Sequence, residues 1–422
     1  MTTSAAQAHH STVDITLEDI GHGGIAIGRA EGKAILARFG LPGERVRVAL
    51  TEERARFARG DVIEVLGEPS PYRQAHPWPE AGPGGVGGAD LGHVVFDYQH
   101  EWKTRVLTST LRRIGGQALS DHLETQGIVP AVTALESDRA NGGWASRTRI
   151  DVTVTAGRFG MFREGSREVL PITSMPLAVK EIAEPGLWDG SYLTRLARSL
   201  GPLRDGQRVR VLAPSASPAA VSIGGRTFDA AAAECSPFAR EEVHVGEETY
   251  RYRVRASGFW QVHREAPATL INLVTRAAGV EPGDHILELY AGAGLLTVPL
   301  ARAVGATGRV ESLEGARTAV EDARANLRPY PWARARTAAI SARDIDDADI
   351  LLADPPRSGL GIAAARAAAA SKARRIVLVS CDPAALARDV AAMVEAGRSV
   401  ESMRGADLFP NTHHFEVVTA LR

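Results

Sequence analysis

The sequence predicts an α/β protein in three parts. They are a small OB-like β-barrel at residues 12–68, a mostly antiparallel middle domain at 69–262, and a C-terminal doubly wound, Rossmann-like sheet at 263–422. Three observations lead there. Short alternating strands separated by Gly and Pro turns fill the first part. Alternating segments dominate again from Trp144 to about Phe259. In the last third, apolar strand runs alternate with Ala-rich helices, the pattern of a parallel sheet covered on both faces.

The elements follow in order. Val13-Asp14-Ile15-Thr16-Leu17 alternates, and Gly21, Gly23 and Gly24 break it. Ala34–Ala37, Val46–Leu50 and Asp61–Leu66 continue the set, with a Leu41-Pro42-Gly43-Glu44 turn between. Residues 69 to 92 are rich in breakers, with Ala81 to Gly88 the densest stretch, and read as a linker or loop. Phe96 to Ile114 has helical spacing and a basic face of Lys103, Arg105, Arg112 and Arg113. In the middle domain Arg149–Val154 and Arg208–Val211 alternate as strands, and Met175–Glu184 and Trp188–Leu200 read as helices. The last part pairs His285–Tyr290 with Leu295–Val304, Arg309–Glu314 with Arg317–Leu327, Ile350–Asp354 with Ile362–Ala373, and Arg375–Ser380 with Pro383–Ala396.

Composition narrows the function. With 44% hydrophobic and 23% charged residues, the chain has the make-up of a folded globular protein. A net charge of -1 excludes a global polycation, so any nucleic-acid contact must use a local patch. Only two cysteines occur, Cys235 and Cys381. They exclude a disulfide scaffold and any all-cysteine zinc or iron–sulfur site within the chain. Met1–Thr12 is polar and does not read as a secretory signal. No apolar run reaches the roughly 20 residues of a membrane span. A cytoplasmic protein with no membrane partner and no obligate protein partner is the expectation.

Four segments carry chemistry. Ile286-Leu287-Glu288-Leu289-Tyr290-Ala291-Gly292-Ala293-Gly294 is a strand, a glycine turn and a helix start, where a backbone can approach a ligand closely. Glu314 ends the next strand, at the spacing by which a carboxylate grips ribose hydroxyls. Thr297 stands where a dinucleotide fingerprint needs its third glycine, so the loop suits S-adenosylmethionine better than NAD. A plain tight turn is the bland alternative. Asp354-Pro355-Pro356-Arg357 stiffens the carboxyl end of a second apolar strand, either as a ligand loop or as a rigid capped turn. Ser380-Cys381-Asp382-Pro383 puts a cysteine between a buried strand and a helix N-terminus, which favours a thiolate. Cys235 has no such context and reads as structural. Phe409-Pro410-Asn411-Thr412-His413-His414-Phe415-Glu416 leads into the last strand. Neighbouring side chains on an extended segment point oppositely, which argues against one metal held by His413 and His414. Glu416 is either a solvated edge residue or a general base facing the cysteine.

This constellation closely resembles the bacterial RNA uracil-5-methyltransferases, which make 5-methyluridine in transfer or ribosomal RNA. The resemblance covers nearly the whole chain. Gly21-His22-Gly23-Gly24 and Leu41-Pro42-Gly43-Glu44 are similar to the family's TRAM module, an RNA-binding barrel. Phe259-Trp260-Gln261-Val262 is similar to its Phe-x-Gln element, whose glutamine contacts the cofactor. The resemblance implies S-adenosylmethionine bound by Gln261, Tyr290, Gly292, Glu314 and Asp354. It implies Cys381 as nucleophile, Glu416 as base, and no metal in the chemistry. Two departures stand out. Many members hold a four-cysteine iron–sulfur cluster before the middle domain, whereas residues 76–89 here contain no cysteine, so no cluster is expected. Leu295 also replaces a polar residue common after the glycines.

The residue types fit the reaction. Uracil C5 is a poor nucleophile, and thiolate addition at C6 places electron density on it. A base must then remove the C5 proton. The target must leave its stack, which calls for a module that grips RNA. Two other readings are a methyltransferase of another substrate, with Cys381 structural, and a non-catalytic RNA-binding protein. Covalent trapping on 5-fluorouridine RNA separates both from the first.

Overall fold

Alternating burial along the first strands shows why they close on themselves. A computed structural model describes residues 11–422; most of the Met1–Thr12 segment lies outside the described residues. Strands β1 (Thr12–Gly21), β2 (Ile25–Ala30), β3 (Lys33–Arg38), β4 (Arg45–Glu53) and β5 (Phe57–Val65) form a closed barrel in the order β1-β2-β3-β5-β4. Ile15, Leu17, Ile35, Ala37, Val46 and Val48 point inward, the period-2 pattern of a half-buried strand. The loop after the barrel is tied back to it. Glu44, fully buried at the β3–β4 turn, accepts from Arg73 Nε and Nη2 at 2.6 Å each.

Helix α1 (Phe96–Thr125) extends beyond the helix expected at Phe96–Ile114. Gly116, at φ 77° and ψ -179°, interrupts it, a conformation that costs glycine little. The expected basic face loses Lys103, which is fully buried against Asp407 at 2.7 Å.

Strand β6 (Val132–Thr133) follows, and then the middle sheet. Its strands are β7 (Arg149–Thr155), β8 (Arg158–Phe162), β9 (Val169–Pro171), β10 (Arg208–Leu212), β11 (Ala220–Ile223) and β12 (Arg226–Phe228). They run antiparallel in the order β12-β11-β10-β7-β8-β9. Helices α2 (Pro185–Trp188) and α3 (Ser191–Leu200) lie between β9 and β10. The helix expected at Met175–Glu184 is instead a run of turns with a single 3-10 turn at Lys180–Ile182. Leu177, Ala178 and Val179 are buried in succession, which no single helix face accomplishes, and Pro176 withholds a donor.

A hairpin, β13 (Phe238–Val245) and β14 (Glu248–Arg255), leads to α4 (Ala266–Ala278). The last part is β15 (His285–Leu289), α5 (Thr297–Val304), β16 (Arg309–Glu314), α6 (Arg317–Asn326), β17 (Ala333–Thr337), β18 (Ile350–Ala353), α7 (Ile362–Ala370), β19 (Arg375–Ser380), α8 (Pro383–Glu395), β20 (Val400–Ala406) and β21 (Glu416–Leu421). The sheet order is β17-β16-β15-β18-β19-β21-β20-β6. The first five strands are parallel, and β21 runs antiparallel to β19. Leu287, Leu289, Leu351 and Leu378 pack with α1, α7 and α8. Ile286, Ile350, Leu352 and Val377 pack with α4 and α5 on the other face. Neighbouring residues thus serve opposite layers, and the central strands read as unbroken apolar runs.

Apolar packing crosses the boundaries expected at 68 and 262. The barrel, α1, α7 and α8 share one apolar cluster. The β13–β14 hairpin shares the second cluster with α4 and α5, and β6 extends the C-terminal sheet. No helix among the described residues is long and apolar enough to cross a membrane.

Candidate active site

Strand register brings the candidate residues to one edge. Leu289 pairs with Leu313 and with Ala353, and Ser380 pairs with Val417. Tyr290, Glu314, Asp354, Cys381 and Glu416 therefore all stand at the carboxyl ends of the parallel strands, or at the start of antiparallel β21. β15 and β18 are the neighbours at which the strand order reverses, the position where open α/β sheets bind ligands.

The loop after β15 is tightly wound. Tyr290 sits at φ 64°, uncommon for a side chain other than glycine, followed by Gly292 at φ 56° and Gly294 at φ 88°. Gly292 N–H donates to Glu314 Oε2 at 3.0 Å, and Ala316 N–H donates to Oε1 at 2.6 Å. Each carboxylate oxygen keeps a lone pair for a further donor, such as a ribose hydroxyl. No atom lies within 4 Å of where a Cβ on Gly292 would project, so open space lies over the loop. That cradle fits S-adenosylmethionine. From behind, Asn326 donates to Ala293 O at 2.9 Å and exchanges hydrogen bonds with the backbone of Arg253 on β14.

Gln261 is buried, at the lining of a cavity of about 420 Å³ with Trp260, His263 and Glu241. Tyr290, Gly292, Glu314 and Asp354 do not line that cavity. Trp260 links the two places, since it packs in the same cluster as Ala293 and Leu296. Leu295 holds the loop through its backbone, accepting from Tyr252 Oη at 2.8 Å.

Cys381 is half-buried, and its thiol is pushed up to about 12, first by burial and then by the charges of Glu416 and Asp354, with Arg357 opposing. This corrects the expectation that the helix N-terminus favours a thiolate. Asp382, not Cys381, caps α8: its Oδ1 accepts from Ala384 N–H at 3.0 Å and Ala385 N–H at 2.8 Å. The helix's free donors are already taken. Glu416 is buried and its Oε2 has no partner. Burial raises its carboxyl well above the usual range, the charge of Asp354 adds to this, and Arg357 again opposes. Burial likewise raises Asp354.

Around this centre stand residues that the sequence reading passed over or misplaced. The His413 and His414 rings do not point apart; their centroids are 3.8 Å from each other. The segment bends there instead of extending, with Asn411 at φ 64°. His413 Nδ1 lies 2.7 Å from Asp90, and Arg357 Nη2 lies 2.9 Å from His414 Nε2. No group of three or more metal-ligating side chains occurs among the described residues. His22 of the barrel reaches within 3.6 Å of Asp382. Glu288, beneath the glycine loop, is pushed up to about 8 by burial, opposed by the Thr297 hydroxyl. Its signal was visible as the one acid in the apolar run Ile286–Leu289. Cys235 is exposed.

With this geometry in hand, comparisons with known proteins agree with one another. Residues 7–63 match the TRAM domain family. Residues 216–348 and 335–422 match the tRNA (Uracil-5-)-methyltransferase family. An uncharacterized RNA methyltransferase of Bifidobacterium longum is 33% identical over 443 residues, covering 96% of this chain and 95% of that protein. A 23S rRNA (uracil(1939)-C(5))-methyltransferase of Acinetobacter baylyi is 27% identical, covering 92% of this chain and 88% of the relative. The fold is similar to that of the Pyrococcus abyssi tRNA (uracil-54, C5)-methyltransferase solved with S-adenosyl-L-homocysteine. The TM-score is 0.68 at 20% identity, covering 97% of this chain and 100% of that one.

Proposed function

The chain belongs to the S-adenosylmethionine-dependent RNA uracil-5-methyltransferase family, and from that premise we propose that Cys381 and Glu416 perform the chemistry on a uridine of tRNA or rRNA. The observation that carries this reading is the meeting of Cys381, Glu416 and Asp354 at one sheet edge, with an unpartnered Glu416 oxygen. S-adenosylmethionine supplies an electrophilic methyl group on a positively charged sulfur. Glu314 takes the ribose, the loop from Tyr290 to Gly294 cradles the cofactor, and Gln261 and Asp354 complete its site. Cys381 Sγ bonds to uracil C6, and the electron pair of the C5–C6 double bond passes into the ring as an enolate. The enolate pair at C5 would take the methyl group, with the methyl–sulfur bond breaking and its electron pair leaving on the now neutral sulfur as S-adenosylhomocysteine. Glu416 then accepts the C5 proton, the double bond re-forms, and the C6–S bond breaks to return the thiolate.

Burial, and after it the charges of Glu416 and Asp354, hold the thiol up. A cationic centre beside them offsets their charge and frees a carboxylate to take the thiol proton. The barrel grips RNA, and His22 brings its β1–β2 turn to the rim of the site.

The experiment is covalent trapping. RNA containing 5-fluorouridine has no C5 proton to lose, so thiolate addition and methylation end in a stable adduct. Wild-type protein forms it, while Cys381→Ala forms none and binds S-adenosylmethionine within about twofold of wild type. Methylation by Cys381→Ala within tenfold of wild type would remove the nucleophile assignment. Mapping 5-methyluridine in tRNA and 23S rRNA, with and without the gene, decides the substrate.

A further inference from the structure

The segment that leads to Glu416 is held from behind by one helix. Gln99 and Lys103 are four residues apart on α1, hence on one helix face, and both are fully buried. Lys103 Nζ donates to Asp407 Oδ1 at 2.7 Å and to Phe409 O at 3.2 Å. The same Asp407 oxygen accepts from Phe409 N–H at 3.1 Å. Gln99 grips Asn411 twice: its Oε1 accepts from Asn411 N–H at 2.9 Å, and its Nε2 donates to Asn411 Oδ1 at 3.0 Å. Asn411 in turn donates to Gly142 O at 3.0 Å and accepts from Leu91 N–H at 2.9 Å. Its backbone is left-handed at φ 64°, a state that persists only when surroundings over-determine it. Every polar atom of the Asn411 side chain has its partner inside the protein.

A buried lysine paired with a buried aspartate is a poor way to gain stability, since apolar residues of similar volume often do as well. Its distinctive property is geometric: two charges and a carbonyl specify where a backbone must lie. Five residues beyond Asn411, β21 opens with Glu416. The remainder of α1 packs along α8, which begins two residues after Cys381.

We propose that Gln99 and Lys103 are positioning residues for the proton-removal step, fixing the backbone of residues 407–411 and through it the direction of the Glu416 carboxylate. This rests on Glu416 being the base. The prediction is selective. A displaced carboxylate leaves cofactor binding, thiolate addition and methyl transfer intact, and slows only loss of the C5 proton.

Total RNA from cells lacking the gene, grown with [5-³H]uridine, provides substrate whatever the target site. Methyl-labelled cofactor reports covalent adduct on denaturing gels, and tritium release reports proton loss. The variants are Gln99→Glu, which sets an oxygen against three acceptors, and the double change Lys103→Met with Asp407→Asn. The double change removes both buried charges together and keeps the Phe409 N–H acceptor. Adduct is expected to form within threefold of the wild-type rate, with tritium release at least tenfold slower, so adduct accumulates on natural RNA. The turnover number falls and KM falls with it, because adduct accumulates ahead of the slowed step. Adduct formation and tritium release falling together, or neither falling, would overturn the proposal. So would loss of cooperative melting in both variants, which would make these contacts mere staples of the fold. Glu416→Gln is the control: if it releases tritium at the wild-type rate, the base assignment itself has failed. If it stalls while the α1 variants do not, only the positioning role is lost.

Discussion

The Cys381 thiol is raised first by its own burial and then by the charges of Glu416, which is buried, and Asp354, which is half-buried, with Arg357 and a backbone hydrogen bond acting against them. With the thiol near 12, its ionised fraction at pH 8 is on the order of 10⁻⁴. The proposed nucleophile is thus expected to stay quiet until positive charge enters. In a Cys235→Ser background, iodoacetamide should modify Cys381 slowly at pH 8. Sinefungin, which carries a cationic amine in place of the sulfonium, should raise the rate at least threefold over S-adenosylhomocysteine, whose sulfur is neutral. Equal rates with the two ligands would break the electrostatic link. Glu288 supplies a stability test. Its folded carboxyl is raised to about 8 from an ordinary 4.5, so its neutral form is the one the fold favours. That contribution is complete below about 4.5 and is lost as pH rises through 8. Glu288→Gln imitates the neutral form. The ligand-free variant should lose less melting temperature than wild type from pH 6 to 9, ending roughly 5 °C above it at pH 9. A wild-type melting point that does not fall over this range would contradict the assignment.

Among the elements, the β13–β14 hairpin matters most for the glycine loop. Asn326 joins it to Ala293 by three hydrogen bonds, and Asp322 holds Arg255 N–H at 2.9 Å. Asn326→Leu leaves the buried Ala293 carbonyl and two part-buried backbone groups of Arg253 unpaired, at about 1–3 kcal/mol for the buried one before relaxation. Calorimetry should show cofactor affinity reduced about tenfold or more, with RNA affinity changed much less. A variant that binds S-adenosylhomocysteine like wild type would show that the hairpin does not shape the loop. The strands around this loop were legible because burial on both faces leaves unbroken apolar runs. The turn at residues 175–184 was not, because consecutive buried residues imitate a helix in a window that ignores Pro176.

At the scale of the molecule, the barrel is joined to the rest by buried contacts. Ile15 and Leu17 belong to the same apolar cluster as Trp102 and Leu386, and Glu44 is clamped by Arg73. Deleting residues 1–68 would therefore uncover apolar surface and leave Arg73 without its partner, so RNA binding by the barrel is better tested by surface charge changes than by truncation. The segment 69–94 that follows is organised by ordinary side chains: Trp78 donates to Glu80 at 2.9 Å, His76 lies 2.9 Å from Ala89 O, and Asp90 holds His413. With two cysteines in the chain, four thiolates cannot be assembled. Protein purified without oxygen should be colourless and free of iron; stoichiometric iron by metal analysis would contradict this.

The sequence by itself carried the α/β plan with its N-terminal barrel, the strand–glycine–helix loop, and the placing of Tyr290, Glu314, Asp354, Cys381 and Glu416 at strand ends. Each is written in local pattern: periodicity, turn residues, and polar groups standing at the ends of apolar strands. Tertiary structure decided what local pattern cannot carry. Cys381 lost its helix donors to Asp382, and its thiol is raised by burial first and then by carboxyls from two other strands. Lys103 left a presumed surface face to bury itself against Asp407, 304 residues away in sequence. His413 and His414 came side by side just beyond Asn411, which is left-handed and hydrogen-bonded to Gln99. Burial and charge are properties of neighbours in space, and those neighbours are far apart along the chain.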